Sequence, residues 1–300
     1  MEQRRILCPI DFSPLSERSL QLAVEVCRRL RARLVLEHNL ESPPPTGLAV
    51  GWMWSGEHEA EGQDKSRQAV ARLEQLFGHI PQDIDYEAKI TRGPLDEGIL
   101  HLAKELAVDM IVMGTHGPSS TGHKSVTESI IMRAPCPVLT TGESYDPTTV
   151  FGVEGGPAPE ELSFLIPFDF SSRSRAALRY GLSTLRRMPH RVNLLHVAKT
   201  SPQLADAPVV PVATDDILRR LDELVPADLE DRIETRVVVG DPVQCIVEEA
   251  DRTRALFVLL AAHGKSALKR MLFGTRTLGV LHGCECPVWF LPPATLRGLD

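Results

Sequence analysis

The sequence contains no apolar run of the roughly 18–20 residues that a membrane-spanning helix needs. Its first twelve residues lack both a long apolar core and a small-residue cleavage site, so we expect no secretion signal and a cytoplasmic location. The six cysteines are scattered and show no paired Cys-x2-Cys spacing, which argues against a disulfide framework and a zinc site. Basic residues are outnumbered by acidic ones, 33 against 40, and the net charge of −7 disfavours nucleic acids and anionic membranes as partners.

The composition is that of a globular protein. Hydrophobic residues make up 43% of the chain and charged residues 24%, which excludes a fibrous or wholly disordered protein. Because a domain usually has roughly 100–200 residues, a chain of 300 residues predicts two domains.

The sequence repeats itself at nearly constant offsets. The strings ILCPIDFS and LIPFDFS correspond, and landmarks further along keep the same order in both halves. The matched positions are Asp11 and Asp169, His38 and His196, Gly93 and Gly240, Gly117 and Gly264, and Cys136 and Cys286. We therefore expect two homologous domains that differ by one insertion and one short deletion.

The domain boundaries follow from the repeat. We place the first domain at 1–142, a linker rich in Gly, Pro and Glu at 143–161, and the second domain at 162–300. The insertion falls before Gly93, in a stretch with Trp52 and Trp54 that could be a lid, a partner-binding patch or a loosely packed loop.

Strands alternate with helices in each half, in the order βαβαβαβαβ. The predicted strands are 6–10, 33–38, 85–90, 110–114 and 138–141 in the first half, and 164–168, 192–197, 234–239, 256–261 and 288–292 in the second. Middle helices are predicted near 64–77 and 213–225. Apolar strands separated by helices specify a parallel α/β sheet, in which ligands bind beyond the carboxyl ends of the strands. We therefore expect a ligand site at two kinds of loop. These are the loops that begin at Asp11 and Asp169 and the glycine-bearing loops after the fourth strands.

The loop after the fourth strand of the second half has the features of a phosphate site. Gly264 and Gly274 can turn backbone N–H groups toward a ligand, and Thr275 adds a hydroxyl where the next helix begins. Four basic residues lie in or beside this loop: Lys265, Lys269, Arg270 and Arg276. Alternatively, the glycines only close a turn and the basic residues form a solvated face.

Together these motifs resemble the universal stress protein family. The family pattern is Gly-x-x-Gly, nine residues and then Gly-Ser/Thr, together with an early Pro-x-Asp and a terminal Pro-Val strand. Several of these motifs occur in order in both halves, over nearly the whole chain. The resemblance implies two tandem five-stranded parallel-sheet domains of the Rossmann-like, adenine nucleotide alpha hydrolase-like kind. Some family members bind ATP and others do not. In those that bind it, the strand-one aspartate lies by the adenine and ribose, and an apolar residue after the strand-two histidine packs on the adenine.

Carried over by position, the resemblance assigns a nucleotide site to the second half. Ala261 stands where the first loop glycine is expected, which weakens the match, and His263 lies inside the loop, where it could touch phosphate or face solvent. The residues assigned to this site are Pro167, Asp169, Val197, Ala261, His263, Gly264, Gly274, Thr275 and Arg276.

The first half departs from the family pattern. Its phosphate loop is three residues short, and Lys124 stands where the helix-starting glycine is expected. Asn39 replaces the apolar residue that would pack on adenine. The positions that match are Asp11, Gly114, Gly117, Ser125 and Val126. We expect this half to bind nucleotide weakly, differently or not at all. The stretch 117–125 comes close to the P-loop pattern Gly-x4-Gly-Lys-Ser/Thr, but His123 interrupts it. A P-loop is therefore disfavoured, and a flexible anion-binding loop is the better interpretation.

The leading hypothesis is a non-enzymatic protein of the stress response or signalling that binds an adenine nucleotide, ATP, with or without Mg²⁺. The resemblance also implies a pseudo-dimer of the two domains through their last strands, with homodimerisation as a further possibility. Two alternatives stay open: an interaction module with both sites vacant, and a slow ATP hydrolase or phosphotransferase. Against an efficient enzyme stands the lack of an evident metal-binding carboxylate set or activated nucleophile near the loop.

Overall fold

The computed structural model describes residues 3–40, 67–68, 70–76, 78, 80–115, 126–146, 163–186, 190–198, 211–262 and 275–297. The insertion with Trp52 and Trp54, most of the predicted linker and both loops after the fourth strands lie outside these residues. The chain divides into two compact units, Met1–Met113 and Gly114–Asp300. This division falls inside the first sequence repeat, and the boundaries at 142 and 161 stay a prediction.

The first unit is built on parallel strands. The elements in chain order are β1 (Arg5–Pro9), α1 (Pro14–Leu30), β2 (Arg33–Leu40), β3 (Tyr86–Arg92), α2 (Leu95–Glu105) and β4 (Met110–Gly114), whose last residue is counted in the second unit. The described residues of 67–76 are helical, as the predicted middle helix requires. Strand β2 pairs in parallel with β1 and β3, and β1 pairs with β4, which gives the order β3-β2-β1-β4. The predicted parallel sheet is thereby confirmed for this unit.

The second unit holds the second repeat together with the end of the first. Its helices are α3 (Val126–Arg133), α4 (Ser172–Leu185), α5 (Pro211–Asp222), α6 (Pro242–Arg252), α7 (Thr275–Gly283) and the short α8 (Pro293–Leu296), with a 3₁₀ helix at Ala227–Arg232. Its strands are β5 (Val138–Thr141), β6 (Ser163–Pro167), β7 (Arg191–Ala198), β8 (Ile233–Val239), β9 (Ala255–Ala261) and β10 (Val288–Leu291). They lie in the order β5-β10-β9-β6-β7-β8.

The last strands of the two repeats pair with each other. Strand β10 runs antiparallel to β5, with Trp289 opposite Leu139, whereas it runs parallel to β9 on its other side. The Thr140 hydroxyl donates to the Val288 carbonyl oxygen over 3.0 Å, which adds a side-chain bond to the ladder. The expected association through the last strands is therefore present in this unit. None of the helices within the described ranges is long and apolar enough to cross a membrane.

A serine residue caps the N-terminus of the helix that follows the first strand of each repeat. Ser13 precedes Pro14 at the helix start, and its Oγ accepts from the Ser16 N–H over 3.2 Å. In the second repeat the cap is Ser171, whose Oγ accepts from the Ser174 N–H over 3.1 Å. The side-chain oxygen satisfies an N–H that has no partner inside the helix.

Replacing Ser171 by alanine should therefore lower the free energy of unfolding by about 1 kcal/mol, the usual value of a serine N-cap. Ser172→Ala is the matched control, because Ser172 is an exposed residue of the same helix and is not its cap. Urea unfolding followed by circular dichroism measures both variants. Equal losses in the two would contradict the assignment of the cap.

Candidate functional site

Four predicted site residues of the second half lie at or next to one edge of its sheet. Pro167 pairs with Leu195, so Asp169 and Val197, each two residues further along, are level with each other. Leu165 pairs with Val258, which puts Ala261 within one residue of the same level on the neighbouring strand. The carboxyl ends of β6, β7 and β9 thus bring these positions to the edge where ligands of parallel sheets bind.

Asp169 forms a tight turn at the end of β6. Its Oδ1 accepts from the Ser171 N–H over 3.0 Å, and its side chain remains exposed. Asp11 does the same after β1, with a bond of 2.9 Å from the Ser13 N–H. Because the aspartate bonds the residue that caps the following helix, both carboxylates are fixed at the strand–helix junction.

The residue after each aspartate has a left-handed backbone. Phe12 has φ 63° and Phe170 has φ 62°, a region that costs a non-glycine residue roughly 1–3 kcal/mol. The Asp-Phe-Ser string is visible in the repeat, but nothing in it indicates a positive φ, since phenylalanine does not favour that region. The same strained turn in both halves turns each backbone sharply from strand to helix.

A histidine and an arginine hold each strained phenylalanine. His196 Nδ1 lies 2.7 Å from the Phe168 carbonyl oxygen, and its ring centroid is 5.1 Å from that of Phe170. The Arg220 guanidinium lies 4.3 Å above the Phe170 ring, a cation–π distance. Because a carbonyl oxygen can only accept, Nδ1 carries the proton, and the histidine ties the ends of β6 and β7 together.

The first unit repeats this arrangement. His38 Nδ1 lies 2.7 Å from the Ile10 carbonyl oxygen, the His38 and Phe12 rings are 4.6 Å apart, and Arg72 lies 4.1 Å above Phe12. Both histidines therefore have a structural role, because each holds the turn that follows the first strand of its half.

Val197 and its neighbours give the second half an apolar strand end. Val197 is half-buried in β7 and pairs with Val238 of β8, also half-buried. Ala261 is the last residue of β9 and pairs with Leu291. Thr275 and Arg276 begin α7, while their side chains, like His263, Gly264 and Gly274, lie outside the described residues.

The corresponding strand ends of the first half are polar. Glu37 is fully buried in β2, and its Oε1 accepts a hydrogen bond from the Thr91 hydroxyl of β3. Asn39 Nδ2 donates to the same hydroxyl oxygen over 2.8 Å. Burial raises the pKa of the Glu37 carboxyl to about 7, although the bond from Thr91 acts in the opposite direction. Thr91 therefore links two polar side chains where the second half has none.

The remaining predicted positions of the first half fall in different units. Asp11 belongs to the first, whereas Gly114 and Val126, at the end of β4 and the start of α3, belong to the second. The Gly114 carbonyl accepts from the Thr127 hydroxyl over 3.4 Å, a bond within the second unit that links α3 to Gly114. Gly117 and Ser125 lie outside the described residues.

Sequence reasoning missed several residues of these sites. They are Phe12, Phe170, Arg72, Arg220, Glu37 and Thr91. The two arginines lie on middle helices far from the aspartates in sequence, and only the shared helix position in the two halves could have indicated them. Within the described ranges, no three His, Cys, Asp or Glu side chains cluster as a metal site would require.

Comparison with known proteins agrees with the repeat. The model of the universal stress protein family matches residues 2–141 and 163–292. The universal stress protein Rv2005c of Mycobacterium tuberculosis is 25% identical over 271 residues, which cover 85% of this chain and 84% of that protein. The universal stress protein MJ0577 of Methanocaldococcus jannaschii is 28% identical over 152 residues, 45% of this chain and 93% of that protein.

A solved structure shows the same fold over the full length. The crystal structure of a universal stress protein from Archaeoglobus fulgidus covers 96% of this chain and 96% of its own, with a TM-score of 0.66 and 16% sequence identity. At that identity the likeness concerns the fold alone, whereas the family model covers both halves. The chain therefore belongs to the universal stress protein family, with one copy of the family domain in each half.

Proposed function

We propose that this protein is a non-enzymatic stress-response or signalling protein that binds ATP, with its main site in the second half. The observation that carries the proposal is the edge formed by β6, β7 and β9, where Asp169 and Val197 are level and Ala261 lies within one residue of them. One exposed carboxylate and an apolar strand end meet there, and a helix begins beyond the glycine-bearing loop.

Each part of this edge suits one part of the nucleotide. Val197 and Val238 offer a flat apolar surface on which a base can pack. Asp169, fixed by its bond to the Ser171 N–H, offers an acceptor to ribose hydroxyls. The first turn of α7, which begins at Thr275, supplies free N–H groups for phosphate oxygens.

The charge of the two halves supports the same choice. Residues 1–150 contain 15 basic and 21 acidic residues, a net −6, whereas residues 151–300 contain 18 and 19, a net −1. The basic residues of the second loop, Lys265, Lys269 and Arg270, thus belong to the nearly neutral half. A small anion is repelled less there than by the acidic first half.

Calorimetric titration of the purified chain with ATP tests the proposal, together with a search for nucleotide released on denaturation. Gly274→Glu should abolish binding to the second half because it places a bulky anion in the phosphate loop, while Lys124→Ala should leave that binding largely intact. Parallel titrations with MgCl₂ and with EDTA show whether the bound species is the magnesium complex. No released nucleotide and no heat up to about 1 mM ATP, equivalent to only about −4 kcal/mol, would refute the proposal.

A further inference from the structure

The two halves differ at the strand ends on which a base would pack. His38 and His196 are equivalent positions of the two repeats. With them as reference, the registers of the β2–β3 and β7–β8 pairs show which residues correspond. At three neighbouring positions the first half is polar and the second is apolar. The polar residues are Glu37, Asn39 and Thr91, and their counterparts are Leu195, Val197 and Val238. A polar trio in this place needs a different explanation from an adenine-packing surface.

Hydrogen bonding within the trio fixes the direction of the Asn39 amide. A hydroxyl group has a single proton, and Thr91 donates it to Glu37 Oε1. Toward Asn39 the Thr91 oxygen can therefore only accept, and it does so from Nδ2 over 2.8 Å. The amide nitrogen consequently faces Thr91, and Oδ1 is directed away from it.

The Asn39 carbonyl oxygen is left as a buried acceptor. Asn39 Oδ1 is shielded from solvent and has no hydrogen-bond partner among the described residues. An unsatisfied acceptor of this kind costs roughly 1–3 kcal/mol, which a donor supplied by a ligand would recover. Asn39 is half-buried, whereas Glu37, two residues deeper in the strand, is fully buried. Asn39 and Thr91 are both less buried than Glu37, and of these two Asn39 is the one whose oxygen is left without a partner among the described residues.

Helix α2 is shaped to leave room for the trio. Gly98 lies against it, and a Cβ atom at this position would come within 2.9 Å of Thr91 Oγ1 and 3.1 Å of Asn39 Nδ2. The second half has Cys245 at the corresponding place in α6. Glycine inside a helix lowers stability by roughly 1 kcal/mol relative to alanine. Helix α2 is therefore less stable at the position where it packs against the Asn39 amide.

We propose that the first half binds a nucleotide whose base carries an amino group, with Asn39 Oδ1 accepting a hydrogen bond from that group. The inference rests on the proposed function, since it assumes that the strand ends of this fold form a nucleotide site. Glu37 and Thr91 are positioning residues that set the direction of the amide. The first half then differs from the second in selectivity, because a polar acceptor rejects a base that offers no donor.

The test uses the full-length chain with Gly274→Glu, so that the second half is silent. Calorimetry compares ATP with purine riboside triphosphate, which lacks the amino group and is otherwise the same. We expect ATP to bind about tenfold more tightly, the value of one hydrogen bond to a buried acceptor. Asn39→Val, which restores the residue type of the second half, should reduce this ratio to about one.

The role of the positioning residues is tested by the same ratio. Thr91→Val removes the hydroxyl that orients the amide and should also abolish the preference, while Thr91→Ser keeps the hydroxyl and should retain it. A purely structural role would alter both affinities together and leave their ratio unchanged. The unfolding midpoint of each variant, measured by circular dichroism, identifies any that fails to fold.

Four results would overturn the inference. Equal affinities for the two nucleotides, or a preference that survives Asn39→Val, would show that the amide does not select the base. No binding to the Gly274→Glu chain up to about 1 mM, with normal ATP binding to the unmodified chain, would refute the inference but leave the proposed function standing. No binding to the unmodified chain would refute both.

Discussion

Replacing Trp289 by alanine is expected to lower the free energy of unfolding of the second unit by about 3–5 kcal/mol. Trp289 is 7% exposed, and its ring lies 4.9 Å from that of Phe257 and 5.8 Å from that of Tyr180, both edge-on. It also belongs to β10, the strand that pairs with β5 and β9. Its removal leaves a large cavity beside a strand that joins the two repeats. Urea unfolding followed by circular dichroism measures the loss.

Trp289→Phe is the matched control. The indole Nε1 is buried without a hydrogen-bond partner among the described residues, so phenylalanine removes an unsatisfied donor along with part of the ring. It keeps an aromatic ring next to Phe257, and the loss should be well below that of Trp289→Ala. If the two variants lost equal stability, packing against the aromatic cluster would not be the cause.

Replacing Glu37 by glutamine is expected to flatten the dependence of stability on pH. Burial raises the pKa of Glu37 from its ordinary 4.5 to about 7 in the folded chain. Between these values the folded state holds a proton that the unfolded state has released, so stability falls as pH rises from about 4.5 to about 7. The full difference is about 3 kcal/mol, since one pKa unit corresponds to roughly 1.4 kcal/mol. Glutamine, which cannot ionise, escapes this loss.

The measurement is urea unfolding at pH 5 and pH 8. Glu37→Gln should be about 2–3 kcal/mol more stable than the unmodified chain at pH 8 and nearly equal to it at pH 5. Glu105→Gln is the control, because its side chain is 60% exposed and the loss of its charge should matter little at either pH. A gain of equal size at both values would mean that Glu37 does not titrate in this range.

The elements were predictable because their signals are local. Apolar runs between helix signals place each strand of the described residues to within about two residues, and Ser13-Pro14 marks the start of α1 as the structure has it. The level arrangement of Asp169 and Val197 follows once the strands are known to be parallel, since the ends of parallel strands meet at one edge.

The polar trio was not predictable, because it depends on contacts between distant residues. Glu37 lies within an otherwise apolar strand, and its partner Thr91 is 54 residues away. Asn39 alone indicates a departure from the family pattern, but its orientation depends on a hydroxyl in the neighbouring strand. The left-handed Phe12 and Phe170 are hidden for another reason: tertiary contacts impose a backbone that their side chains do not favour.

The antiparallel pair of β5 and β10 determines how the chain can be divided. Because β5 belongs to the first repeat and packs in the second unit, the sequence repeats and the compact structural units do not coincide. A cut between the repeats would remove one neighbour of β10 and make it an exposed edge strand. Its unpaired backbone donors and acceptors could then pair with another chain. The covalent link between the repeats thus supplies each protein molecule with its own strand partner, at a local concentration that separate domains would have to reach by assembly.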